Sequence, residues 1–220
     1  MKKTGFLPLF IALLIISQVF CAYGRTISAK ELAEIIGNEN VVVVSMRTEK
    51  DYNTVHIKNA VHVDHDELCK SGDIKGVLKD PYEVAKLLGE KGISPDKTIV
   101  IYCNKGVLAG RLYWILDYLG AKDVRVLNGQ MKAWRKARKP VTKDVPKITP
   151  AEFKAKPDAS KIATTEYVKQ HLNDPKVVIV DVRPEKEYNG EEGKTERKGH
   201  LPGAVNFEYL NVIDLSLIHI

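Results

Sequence analysis

The sequence predicts an α/β fold: a parallel sheet with helices on both faces, in one complete domain followed by the first part of a second. Two short runs, Val41-Val42-Val43-Val44 and Ile99-Val100-Ile101-Tyr102, are apolar throughout, the pattern of strands covered on both sides. Segments of helical periodicity stand between such runs, and strand–helix alternation at these lengths implies parallel pairing through crossover connections. About one domain length further on, the pattern starts again. Composition agrees, with 44% apolar and 28% charged residues over 220 positions, which is globular and not disordered.

The chain opens with Lys2-Lys3, an apolar stretch over residues 6–20, and small residues at Ala22 and Gly24. This reads as a secretory signal cleaved after Gly24, since the apolar run falls short of the ~20 residues of a membrane span. The expected location is periplasmic or secreted, with no membrane attachment after cleavage. A lipoprotein site at Cys21 is disfavoured by the bulk of Phe20. Removal of residues 1–24 takes two lysines from the net charge of +6 and leaves a mildly basic chain. That balance suits small anions. No basic cluster is interleaved with aromatics, so nucleic acid is a poor partner.

From Arg25, Ser28 and Glu31 form a capping box for a short amphipathic helix. The strand over residues 41–44 leads to Ser45-Met46-Arg47, and a helix begins at Glu49. His56-Ile57-Lys58-Asn59-Ala60 turns the chain into a strand over 61–63. His56, His62 and His65 lack a carboxylate or cysteine cluster at ligand spacing, so no metal site is expected. A polar loop over residues 64–76 holds Cys69. A helix over 82–88 stops at Gly89 or Gly92. Beyond the second apolar strand, a helix over 108–119 stops at Gly120, and a strand over 124–127 turns at Asn128-Gly129. Trp114 and Trp134 are assigned to core packing. The basic stretch from Lys132 to Lys139 is assigned to a solvated face.

Residues 144–158 read as an extended linker, rich in proline and lysine. The second unit, expected over 159–214, repeats the first helix at residues 163–168 and the first strand at Val177-Val178-Ile179-Val180. It then stops, with no counterpart of the cysteine strand. Residues 215–220 look like a translated sequencing adapter and are set aside as a scar.

The strand over 99–102 ends at Cys103, which faces the start of the next helix. Ligands in open α/β sheets bind outside the carboxyl ends of the strands, where loop and first-turn N–H groups favour an anion, the state a nucleophilic cysteine needs. A buried structural thiol, or a disulfide with Cys69 in an oxidising compartment, is the competing assignment.

Cys103-Asn104-Lys105-Gly106-Val107-Leu108, followed by Ala109, resembles the active-site loop of the rhodanese (thiosulfate sulfurtransferase) family. Val124-Arg125-Val126-Leu127-Asn128-Gly129-Gln130-Met131-Lys132-Ala133-Trp134 and His56-Ile57-Lys58-Asn59-Ala60 are similar to two further segments of that family. Asp181-Val182-Arg183 and Gly199-His200-Leu201-Pro202-Gly203-Ala204 repeat its opening in cleaner form. The whole resembles a secreted, tandem-domain member truncated in its second domain.

The resemblance implies sulfur transfer without a cofactor. Cys103 would take sulfane sulfur from thiosulfate or a similar anionic donor and pass it from a persulfide to a thiol or cyanide. Asn104, Lys105, Gly106, Val107, Leu108 and Ala109 would bind substrate, their amides acting as an oxyanion hole does and Lys105 serving as the cation. Three departures are visible: Ser45 where the family usually has aspartate, Asn104 where loops acting on thiosulfate often have a cation, and Leu108 where they often have a hydroxyl. Phosphatases of the same fold need an arginine six positions after the cysteine. Here that position is Ala109 and the first arginine is Arg111. The alternative function is a non-catalytic scaffold domain whose catalytic partner domain is absent from this sequence.

Overall fold

In the computed structural model, residues 25–193 and 195–212 are described. The expected leader over 1–24 and the expected scar over 215–220 lie outside them. The first unit is built on five parallel strands in the order β1 (Thr26–Ile27), β6 (Asp123–Leu127), β5 (Thr98–Tyr102), β2 (Val41–Ser45) and β4 (Val61–His62). Side chains alternate across a strand. Val42, Val44, Ile99 and Ile101 therefore pack to one side with Val84 and Leu88 of α3 (Pro81–Glu90) and Leu112 and Leu116 of α4 (Val107–Tyr118). Val43, Val100 and Tyr102 pack to the other, against Leu32 of α1 (Ala29–Ile35) and Met131 and Trp134 of α5 (Gln130–Lys136). Both faces are covered, which is why these strands are apolar throughout.

Local signals set the helix ends. Ser28 Oγ accepts from the Glu31 amide at 3.2 Å while Glu31 Oε2 accepts from the Ser28 amide at 2.8 Å, the reciprocal capping box. Thr48 caps α2 (Glu49–Thr54), and Asp80 caps α3 one residue ahead of Pro81. Gly120, with φ +85°, follows α4.

Two short strands escape the sequence patterns. β1 borders β6 at the sheet edge, and β7 (Val141–Thr142) runs antiparallel to β3 (His56–Ile57). Two residues are too few to show a period. The segment 144–158 is extended, and it lies along the first unit. Phe153 joins the core, Ala151 N donates to Gly89 O at 2.9 Å, and Lys156 N donates to Leu119 O at 2.9 Å. A Cβ at position 89 would stand 2.4 Å from Ala151 O, so this close approach requires glycine.

In the second unit α6 (Thr165–His171), β8 (Val180–Asp181), α7 (Glu185–Tyr188) and β9 (Val205–Asn206) follow in order, with β8 parallel to β9. The strand expected over 177–180 is thus displaced to Val180–Asp181, and Val178 is 71% exposed. Among the described residues no second neighbour pairs with β8, so little holds residues 177–179 extended.

The core makes a direct demand on α4. Leu112→Ala, at a fully buried position, should cost about 2–5 kcal/mol, while Lys132→Ala on the exposed side of α5 should stay within about 0.5 kcal/mol. Urea midpoints of the two variants check this; equal midpoints would contradict it.

Candidate active site

Strands β2 and β5 pair in parallel with Ser45 opposite Tyr102, so the residues that follow them, Met46-Arg47 and Cys103-Asn104, emerge side by side. Met46 N donates to Tyr102 O at 2.8 Å, which prolongs the pairing one step. The chain then turns at Gly106, whose φ of +90° is a left-handed value that glycine adopts without strain. That turn brings the Gly106 amide onto Cys103 Sγ at 3.0 Å. The first bond of α4 runs from Gly110 N to Gly106 O, leaving the amides of Val107, Leu108 and Ala109 without acceptors in the helix.

Cys103 is held from its other side as well. Its amide donates to Gln130 Oε1 at 2.8 Å, and Gln130 Nε2 donates to Leu127 O at 2.8 Å. Gln130 is fully buried with φ +55° and follows Gly129 at φ +73°, so a tight left-handed turn after β6 aims it at the cysteine. The thiol is 3% exposed and lies in the wall of a cavity of about 240 Å³. Cys69 is a separate free thiol, 3.5 Å from His65 Nε2, and Cys103 is also free, so the disulfide does not form. Burial pushes the Cys69 thiol up from its ordinary pKa.

Of the residues singled out in the sequence, Cys103, Asn104, Lys105, Val107 and Leu108 line this cavity. Gly106 contributes its amide. Ala109 faces away: its methyl is fully buried in the core, because one helical step beyond Leu108 turns it toward the sheet. Arg111 does not close the loop either. It stacks over Trp114 at 4.8 Å and donates to Gly76 O at 3.1 Å.

Met46, Arg47 and Thr48 complete the lining and were not assigned to the site from sequence. Arg47 Nε donates to Asn104 Oδ1 at 2.7 Å, and Asn104 Nδ2 donates to Asp51 Oδ2 at 2.7 Å. Arg47 Nη2 stands 3.9 Å from Asp51 Oδ1. The Asn104 amide, with the Thr48 cap behind it, holds the Asp51 carboxyl below its usual range. The available signal was positional: Arg47 directly follows the strand that neighbours the cysteine strand, with Asp51 one helical turn further.

The second unit shows what Ser45 changes. Arg183 is gripped by Asp181, with Nε 3.0 Å from Oδ1 and Nη2 2.6 Å from Oδ2, and it also donates to Gly199 O. Arg47 donates to the corresponding carbonyl, Val55 O, but Ser45 offers no carboxylate. Its Nε is therefore directed to Asn104. Around this difference the two units match. Tyr52 donates to Ala60 O and stacks on His56, as Tyr188 donates to Ala204 O and stacks on His200. His56 is fully buried, with its ring nitrogens on Tyr52 O and Asp144 O, which is a structural role.

A parallel sheet whose middle strand ends in a cysteine, wrapped by a glycine-centred loop, defines an α/β protein with a thiol at the carboxyl end of its sheet. The chain belongs to the rhodanese-like domain family, whose model matches residues 28–137 and again 164–218. It is 29% identical over 199 residues to a thiosulfate sulfurtransferase of Pseudomonas aeruginosa, covering 90% of this chain and 73% of that protein. It is also 29% identical over 196 residues to a probable 3-mercaptopyruvate sulfurtransferase of the same organism, covering 82% and 69%. The fold matches the crystal structure of SseA from Escherichia coli, described as a 3-mercaptopyruvate sulfurtransferase, with a TM-score of 0.80 at 23% identity over 89% of this chain and 79% of that one.

The clamp on Asn104 depends on pH. A carboxyl that ionises more readily folded than unfolded stabilises the fold above its unfolded pKa of about 3.9, and that contribution is lost as pH falls through the lower folded value. Wild type should therefore lose more stability than Asp51→Asn as pH falls below about 4, measured as urea midpoints. Parallel acid limbs would show that the carboxylate makes no such contribution.

Proposed function

We propose that this chain is a sulfurtransferase in which Cys103 carries sulfane sulfur as a persulfide between an anionic donor and a thiol or cyanide acceptor. The observation that carries this reading is the Gly106 amide directed at Cys103 Sγ on the wall of an open cavity. Kinship with proteins named thiosulfate and 3-mercaptopyruvate sulfurtransferases supports the same chemistry.

With thiosulfate as donor, the Cys103 thiolate attacks the outer sulfur. The S–S bond of the donor breaks and sulfite leaves with the electron pair. Cyanide then attacks the terminal sulfur of the Cys103 persulfide, thiocyanate departs, and the thiolate returns. The Gly106 amide stays beside the sulfur throughout, and the free first-turn amides of α4 supply donors for charge on the outer atom. Lys105, at the exposed lip of the cavity, is placed to meet an incoming anion. No separate base is required once the thiol is ionised.

The leader-like residues 1–24 support export to the periplasm or medium, and the second match of the family model supports a tandem arrangement with a boundary in 144–158. A scaffold role for the first unit is the second reading, favoured by Ser45 and Leu108 at positions where the family usually carries other residues.

Thiocyanate release from thiosulfate and cyanide separates the two. Wild type should turn over and Cys103→Ser should fall by at least about a thousandfold, as removal of a covalent nucleophile does. Equal rates in the two proteins would establish the scaffold reading.

A further inference from the structure

The ladder between β5 and β6 is interrupted at the cysteine. Its register sets Thr98 opposite Asp123 and Ile101 opposite Val126. Continued as a parallel ladder, that register would send the Cys103 amide to Leu127 O. A side chain stands there instead. Cys103 N donates to Gln130 Oε1 and Gln130 Nε2 donates to Leu127 O, both at 2.8 Å, so one carboxamide is inserted as a rung between the two strand ends.

The cysteine is fixed from the opposite edge too. Met46 N donates at 2.8 Å to Tyr102 O, the carbonyl of the same peptide group whose N–H Gln130 holds. Met131 N donates to Cys103 O at 3.4 Å, so the next peptide group is tied as well. Both are anchored before the chain turns at Gly106.

This rung has a cost. Gln130 is fully buried, and its φ of +55° lies in the left-handed region, where a residue with a Cβ is strained. A buried carboxamide must also find partners for its polar atoms. Glycine would take this backbone without strain, and an apolar side chain would need no partners, so neither the turn nor the core asks for glutamine. What glutamine adds is the grip on Cys103. It is not part of the cavity lining, and it therefore acts on the cysteine and not on a bound molecule.

We propose that Gln130 is a positioning residue: it fixes the Cys103 peptide so that Sγ stays on the Gly106 amide, the contact that favours the anionic, reactive form of the sulfur. This role rests on the reading of Cys103 as the sulfur carrier, yet it can be measured without turnover.

The test follows alkylation of the Cys103 and Cys69 peptides by iodoacetamide in the full chain, resolved by mass spectrometry. Gln130→Met keeps the side-chain length and removes both hydrogen bonds, and Gln130→Gly removes the rung together with the backbone strain. In each variant, alkylation of Cys103 at about pH 7 should fall about tenfold and return toward the wild-type rate at about pH 10, where a thiol ionises without help. Cys69, the reference within the same molecule, should follow wild type at both pH values. The kcat/KM for thiocyanate formation from thiosulfate at about pH 7 should fall by a similar factor. An unchanged Cys103 profile in both variants, or the same change at Cys69, would overturn the positioning role. Loss of the fold in both variants would make Gln130 structural only and would overturn it as well. No thiocyanate from wild type, with the Cys103 profile still displaced in the variants, would instead overturn sulfur transfer and leave the role of Gln130 standing.

Discussion

The pairing of β2 with β5 is the constraint on which the site depends. Five residue pairs, from Val41 opposite Thr98 to Ser45 opposite Tyr102, fix where each strand ends. A slip of one residue would turn every side chain of a strand to the opposite face of the sheet. It would also separate Arg47 from Asn104. Tyr102 reinforces the register from its side chain, whose hydroxyl accepts from the Ile57 amide at 3.1 Å, and burial pushes that phenol up from its ordinary pKa. The strands are apolar because both faces are covered, so the hydrophobic effect that forms the core also sets the position of the thiol.

Local features of the sequence were legible where the chemistry is local. The apolar runs over 41–44 and 99–102 became strands, and Ser28 and Glu31 became a capping box. The site was readable as a loop but not as an enclosure. Arg47 reaches Asn104 across 57 residues and Gln130 reaches Cys103 across 27, and such contacts exist only once the sheet has assembled. Phe153 was hidden for a related reason. A lone aromatic in a proline- and lysine-rich segment has no period, yet it finds the gap beside α3. Ala109 is divided: helical geometry turns its methyl into the core, while its amide stays in the first turn of α4.

The opening segments of the two units share a local scaffold and differ in the partner of one arginine. The tyrosine–histidine stack, the tyrosine hydroxyl on an alanine carbonyl, and an arginine on the carbonyl before the histidine recur in both. What changes is the partner of the guanidinium. Asp181 holds Arg183 within its own strand end, whereas Ser45 leaves Arg47 free to join the neighbouring loop. A substitution that removes a local ion pair therefore adds a contact that ties β2 to the residue after the cysteine. Asn104 carries no charge, so the carboxylate that faces the Arg47 guanidinium beside the thiol is Asp51, one helical turn further on and bonded to the same amide.

The central claim is that sulfur is carried on Cys103 and not elsewhere in the chain. Peptide-resolved mass spectrometry after brief exposure to a sulfane donor addresses this most directly, because the two free thiols among the described residues, Cys69 and Cys103, compete in the same molecule. The expected result is one added sulfur atom on the Cys103 peptide, lost again when cyanide is supplied, with the Cys69 peptide unchanged. Sulfur on Cys69 with none on Cys103, or none on either, would contradict it.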